Sequence, residues 1–137
     1  IDAKLPVASN TELISLGLCE DEVKGHLETW LRSAGWTVVV ALGREHGIDI
    51  EAIRGQSRWI IEVKGCGSRQ QMRVNYFLAI LGETLQRMSD PNAKYSIAVP
   101  DMSQFRQLWK GLPKLAKERT TISALFVNDT GNVEECC

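Results

Sequence analysis

The sequence predicts an α/β fold, a central mixed five-stranded sheet flanked by helices, with the elements in the order αβββαβαβ. Three observations predict it. Apolar residues recur at helical spacing over 20–34 and 72–88, and short runs rich in β-branched residues lie around them. Three of those runs follow one another without a helix, so an antiparallel meander is the economical arrangement. The last three strands are separated by helices, which makes them parallel neighbours joined by crossovers.

The elements follow in order. Residues 1–18 show no sustained period and read as an N-terminal arm. Over 20–34 the apolar set Val23, Leu27, Trp30, Leu31 and Ala34 is helical, and Gly35 is a C-terminal stop. Strands are expected at 36–42, 48–53 and 58–63, with turns at 43–47 and around Gly55. A second helix follows over 72–88, carried by Val74, Phe77, Leu78, Leu81, Leu85 and Met88, then a fourth strand over 95–99 stopped by Pro100. A helix over 102–118, which Pro113 can kink or split, precedes the fifth strand over 121–127. Residues 129–137 read as an acidic, frayed tail. The whole is one domain over 1–137, with its core at 19–128.

Composition agrees. The chain has 137 residues, 44% hydrophobic and 24% charged, which suits one ordinary globular core rather than disorder. No apolar run approaches the roughly 20 residues that span a bilayer, and the first residues carry no signal-peptide pattern. Four cysteines, Cys19, Cys66, Cys136 and Cys137, form no Cys-x-x-Cys pair, so reduced thiols in a cytoplasm are expected. The net charge of −1 counts mildly against a nucleic-acid binder. Its distribution is uneven: Arg54, Arg58, Lys64, Arg69 and Arg73 face only Glu62 over 54–73, and a second cationic stretch covers 106–119.

The stretch from Gly47 to Gly65 carries the chemistry. Glu62 and Lys64 are two apart on one strand and share a face. Asp49 lies one strand back, at a hairpin position that brings it near both. Aspartate and glutamate are hard oxygen ligands that suit Mg²⁺, with Mn²⁺ as a substitute, and the Val63 carbonyl is a further ligand candidate. A bound metal acidifies water and neutralises charge on a scissile phosphate, while Lys64 orients or deprotonates that water or stabilises the transition state.

This arrangement resembles the PD-(D/E)xK nuclease superfamily, whose fold is called restriction-endonuclease-like. Gly47-Ile48-Asp49 and Glu62-Val63-Lys64 carry the resemblance, with Ile48 at the position of the motif's proline. It covers about residues 20–128 and is nearest the Holliday-junction-resolvase and Mrr-type branches. It implies a metal-dependent DNA endonuclease with Asp49, Glu62 and Lys64 as catalytic residues and Asp49, Glu62 and Val63 at the metal. It also implies an acid from the first helix, for which Glu22 is preferred over Glu20 and Glu28. Arg69, Gln70, Gln71 and Arg73, just past the motif, are expected to meet DNA. Glu51 is a supporting acid and His46 a base of lower standing. The apolar stripe of the second helix offers a homodimer surface. The alternative function is a catalytically silent nucleic-acid-binding or protein-interaction domain on the same fold.

Overall fold

In the computed structural model, residues 17–43 and 47–137 are described. Helix α1 (Glu20–Ser33) leads into a hairpin pair, β1 (Thr37–Val40) and β2 (Ile50–Arg54), followed by β3 (Ser57–Val63). Helix α2 (Gln70–Arg87) crosses to β4 (Lys94–Pro100). Two short helices, α3 (Ser103–Gly111) and α4 (Lys114–Thr120), cross to β5 (Ser123–Val127), and β6 (Val133–Cys136) closes the chain.

Among the described residues, six strands form one sheet in sequence order. β1–β2 and β2–β3 are antiparallel, β3–β4 and β4–β5 parallel, and β5–β6 antiparallel. The mixed sheet flanked by helices is therefore as expected, with six strands rather than five. The tail reading of 129–137 is the correction. Val133 pairs with Val127 and Cys136 with Ala124, and the acidic run is neutralised from the body: Arg106 meets Glu134 at 2.7 Å and Lys94 meets Glu135 at 2.7 Å. Pro113 splits the expected 102–118 helix into α3 and α4, because it supplies no N–H to continue the ladder.

The β2–β3 hairpin turns through Gly55 and Gln56 between the paired Arg54 and Ser57, and Gly55 takes a φ of +61°, which glycine adopts without a Cβ penalty. Alternation along β3 divides two cores. Trp59, Ile61 and Val63 pack with Val23, Leu27 and Leu31 of α1 on one face. Ile60 packs with Phe77 and Ile80 of α2 and Phe105 and Trp109 of α3 on the other. Within α2 the buried face is Phe77, Ile80 and Thr84, while Leu78 and Leu85 are exposed, so the expected apolar stripe is only partly covered. Among the described residues no helix is long and apolar enough to cross a membrane.

Candidate active site

At the C-terminal end of β3 the sheet opens into a polar cleft of about 210 Å³ lined by Glu20, Gly47, Asp49, Glu62, Lys64, Glu83 and Arg87. A larger cavity of about 580 Å³ lies at the opposite end of β3, beside Trp30, Trp36 and Trp59, and holds none of the site residues.

The hairpin register pairs Ile50 with Ile61, and continuing it by one residue sets Asp49 opposite Glu62. Backbone and side chain then interlock. The Asp49 N–H donates to Glu62 Oε2 at 3.1 Å, and the Val63 N–H donates to Asp49 Oδ2 at 2.8 Å. Glu62 is almost fully buried. Burial is the main reason its pKa is pushed up to about 7; the Asp49 N–H pulls it back, and the Asp49 and Glu83 charges push it further. Arg87 on α2 approaches Glu62 Oε2 at 3.6 Å and donates to the Gly47 carbonyl at 2.8 Å. Its Nε is buried without a hydrogen-bond partner. Lys64 shares the Glu62 face and lies 3.5 Å from Glu83, with its ammonium 5.7 Å from the Tyr76 ring centroid.

Helix α1 contributes differently from expectation. Glu20, not Glu22, lines the cleft. Glu22 accepts the Cys19 N–H at 2.9 Å, one of the N–H groups that a helix start leaves unpaired, and this bond holds its carboxyl below the usual range. Glu28 pairs with Arg32 on the helix surface at 2.9 Å. Unforeseen from the sequence is Lys24. It is buried in the core-facing side of α1, donates to the Ala41 carbonyl and pairs with Glu20 Oε2 at 3.0 Å and Asp49 Oδ1 at 3.5 Å.

The remaining expected residues are dispersed. Glu51 is bound to Arg58 at 2.6 Å, and Arg58 also reaches Asp90 at 3.2 Å, so neither belongs to the cleft. Val63 is fully buried and reaches the site through its backbone. Arg69 is exposed at the N-cap of α2, and Gln71 bonds Asn75. Arg73 is turned into the fold, onto Gln104 and the Cys66 carbonyl, while Gln104 also bonds the Gln70 carbonyl. The cationic stretch of the sequence is therefore not one continuous patch. His46 lies outside the described residues. The missed residues, Lys24, Glu83 and Arg87, left one faint signal: Glu83 and Arg87 are four apart and share a helix face.

No family model matches this chain, and no curated protein matches it. Solved structures do. An fdxN element excision controlling factor protein from Anabaena variabilis superposes with a TM-score of 0.61 at 18% identity, over 85% of this chain and 99% of that one. An XisH family protein from Nostoc punctiforme PCC 73102 superposes with a TM-score of 0.59 at 17% identity, over the same shares. At such identity the likeness is one of fold.

The donor set can be weighed against the divalent ion that the resemblance implies. Among the described residues no three acidic, histidine or cysteine side chains converge into a ready-made cage. Mg²⁺ does not need one: it keeps several waters and takes one or two carboxylates, and the interlocked Asp49–Glu62 pair supplies two hard oxygen donors. The residues fit the ion.

Proposed function

We propose that this chain is a metal-dependent deoxyribonuclease of the PD-(D/E)xK type that hydrolyses phosphodiester bonds at the Asp49–Glu62–Lys64 cleft. The observation that carries the reading is the interlock of Asp49 and Glu62 with Lys64 on the same face, at the open end of the sheet. Asp49 and Glu62 would hold Mg²⁺ or Mn²⁺, with the Val63 carbonyl as the neighbouring backbone oxygen. When bound, the ion supplies charge neutralisation and a more acidic water. Lys64 keeps part of its side chain open to solvent and can donate to a phosphate oxygen as negative charge grows there. Arg87, beside Glu62, supplies a second positive charge to a bound phosphate. Arg69, Gln70 and Gln71, exposed at the start of α2, are the side chains best placed to follow the DNA backbone.

A second reading is a domain that keeps this fold and binds DNA or protein without cutting it. One observation favours it: the acids of the cleft face cations of the same chain, Lys24, Lys64 and Arg87. A structural neighbour described as an excision controlling factor is in keeping with a regulatory role. A panel of linear, nicked, single-stranded and four-way-junction DNA, with Mg²⁺ and with EDTA, decides between them. Metal-dependent cutting of any member supports the nuclease. Salt-sensitive binding with no cutting supports the silent domain.

A further inference from the structure

Lys24 is 1% exposed, yet it sits on the α1 face that carries Val23, Leu27 and Leu31 into the core. Packing alone does not call for it. A methionine would fill the same space, and a buried ammonium without partners costs far more than it returns. What the position does explain is the ring of acceptors: Glu20 Oε2 at 3.0 Å, Asp49 Oδ1 at 3.5 Å and the Ala41 carbonyl. Two carboxylates and a carbonyl around one nitrogen, with no donor among them, are the surroundings of an ammonium.

Two carboxylates bridged by a cation is also what a second divalent ion would need. Two-metal hydrolytic sites place their ions about 3.5–4 Å apart around a shared carboxylate. Here the two sides of Asp49 are not equivalent. Oδ2 is on the Val63 and Glu62 side, and Oδ1 is on the Lys24 and Glu20 side, where a positive charge already stands. A divalent ion on that side would meet the ammonium at contact distance, with strong repulsion at low dielectric.

We propose that the Lys24 ammonium fills the cation position between Glu20 and Asp49, so that the cleft takes one divalent ion, on the Asp49–Glu62 side, and not two. This rests on the metal-binding reading above. It assigns Glu20 as the partner of Lys24 rather than as a metal ligand.

The test counts bound Mn²⁺ on the full chain by calorimetry and by the loss of the free-ion paramagnetic resonance signal, without DNA. Wild type is expected to bind one ion, Lys24→Met two, and Lys24→Arg one. Glu20→Gln, which alters only one partner of Lys24, is expected to leave the ion count at one. Two ions in wild type, one ion in a folded Lys24→Met, or no bound ion in a folded Glu20→Gln overturns the proposal. If Lys24→Met does not fold, the wild-type count and Glu20→Gln still decide it. Absence of Mn²⁺ binding in wild type overturns the metal reading and this inference together. A one-to-two change in a protein that cuts no DNA upholds the inference and removes only the nuclease.

Discussion

The Asp49 backbone N–H donates to the Glu62 carboxylate at 3.1 Å, so the two acids of the hairpin are held by the chain itself and not only by their charges. The reverse strap, from the Val63 N–H to Asp49 Oδ2 at 2.8 Å, completes the interlock. Removing the Asp49 carboxyl therefore confounds two effects: it deletes a proposed metal ligand and leaves a buried N–H unpaired, which costs about 1–3 kcal/mol. Asp49→Asn separates them. Its amide oxygen still accepts from Val63, so any drop in melting reports the charge lost beside Lys24 and not an unpaired N–H, while Mg²⁺-dependent cutting should fall to background. Lys64→Ala should behave likewise in cutting. Full activity in both variants would end the nuclease reading.

The pKa of Glu62 gives a pH dependence with a definite sign. Its ordinary value is 4.5 and its folded value about 7. Between these values the folded chain holds a proton that the unfolded chain has released. Stability from this group is thus greatest below about pH 4.5 and falls as the pH rises towards 7, by about 3 kcal/mol. Glu62→Gln cannot lose that proton and still accepts the Asp49 N–H. In EDTA, its melting temperature should match wild type near pH 5 and exceed it at pH 8. A difference that does not change with pH would show that burial is not straining the Glu62 carboxylate.

Glu22 and Glu20 make a contrasting pair on one turn of α1. Glu22→Ala removes the acceptor for the Cys19 N–H and should cost about 0.5–1 kcal/mol in urea unfolding with cutting retained. Loss of cutting at wild-type stability would instead return Glu22 to the site.

The hairpin and the crossovers are legible in the sequence because their signals are local. Period, and the turn glycine Gly55, act within a few positions. What is not legible depends on partners far along the chain. Glu134 and Glu135 look like a solvated tail until Arg106 and Lys94 are brought beside them by β4 and α3, and only then does Val133–Cys136 extend the sheet. Lys24 carries no signal in the sequence because nothing nearby announces that Asp49 will be its neighbour. The motif acids Asp49 and Glu62 are brought together as their spacing implies. The choice among the α1 acids is not legible, since helical acids near an N-terminus are favoured by the dipole whether or not they serve a site.

Leu78 and Leu85 are 62% and 52% exposed on α2, with half-buried Val74 and Leu81 completing a spacing of four, three and four. A second copy of the chain is one partner that such a stripe suits. Sedimentation at high micromolar concentration should then give a dimer, and Leu78→Lys with Leu85→Lys a monomer that melts as wild type does when dilute. A monomeric wild type would leave the stripe without this use.

Gly65 ties the site to the fold without a side chain. A Cβ there would lie 2.5 Å from the Glu20 backbone nitrogen and 2.8 Å from the Cys19 carbonyl carbon, which are main-chain atoms that cannot swing aside. The next residue, Cys66, donates its N–H to the Leu18 carbonyl at 2.9 Å, so the chain leaving Lys64 is laced to the entry of α1. That contact is what sets Glu20 and Lys24 across from Asp49. Gly65→Ala should force α1 away from the end of β3, lower stability by about 1–3 kcal/mol and weaken cutting by more than the stability loss accounts for. Gly25→Ala, on the exposed side of the same helix with nothing within 4 Å of the added Cβ, should stabilise by about 0.5–1 kcal/mol and leave cutting unchanged. Urea unfolding and cleavage rates on the two variants test the lacing. A Gly65→Ala protein with wild-type stability and activity would mean that α1 and the hairpin are positioned independently.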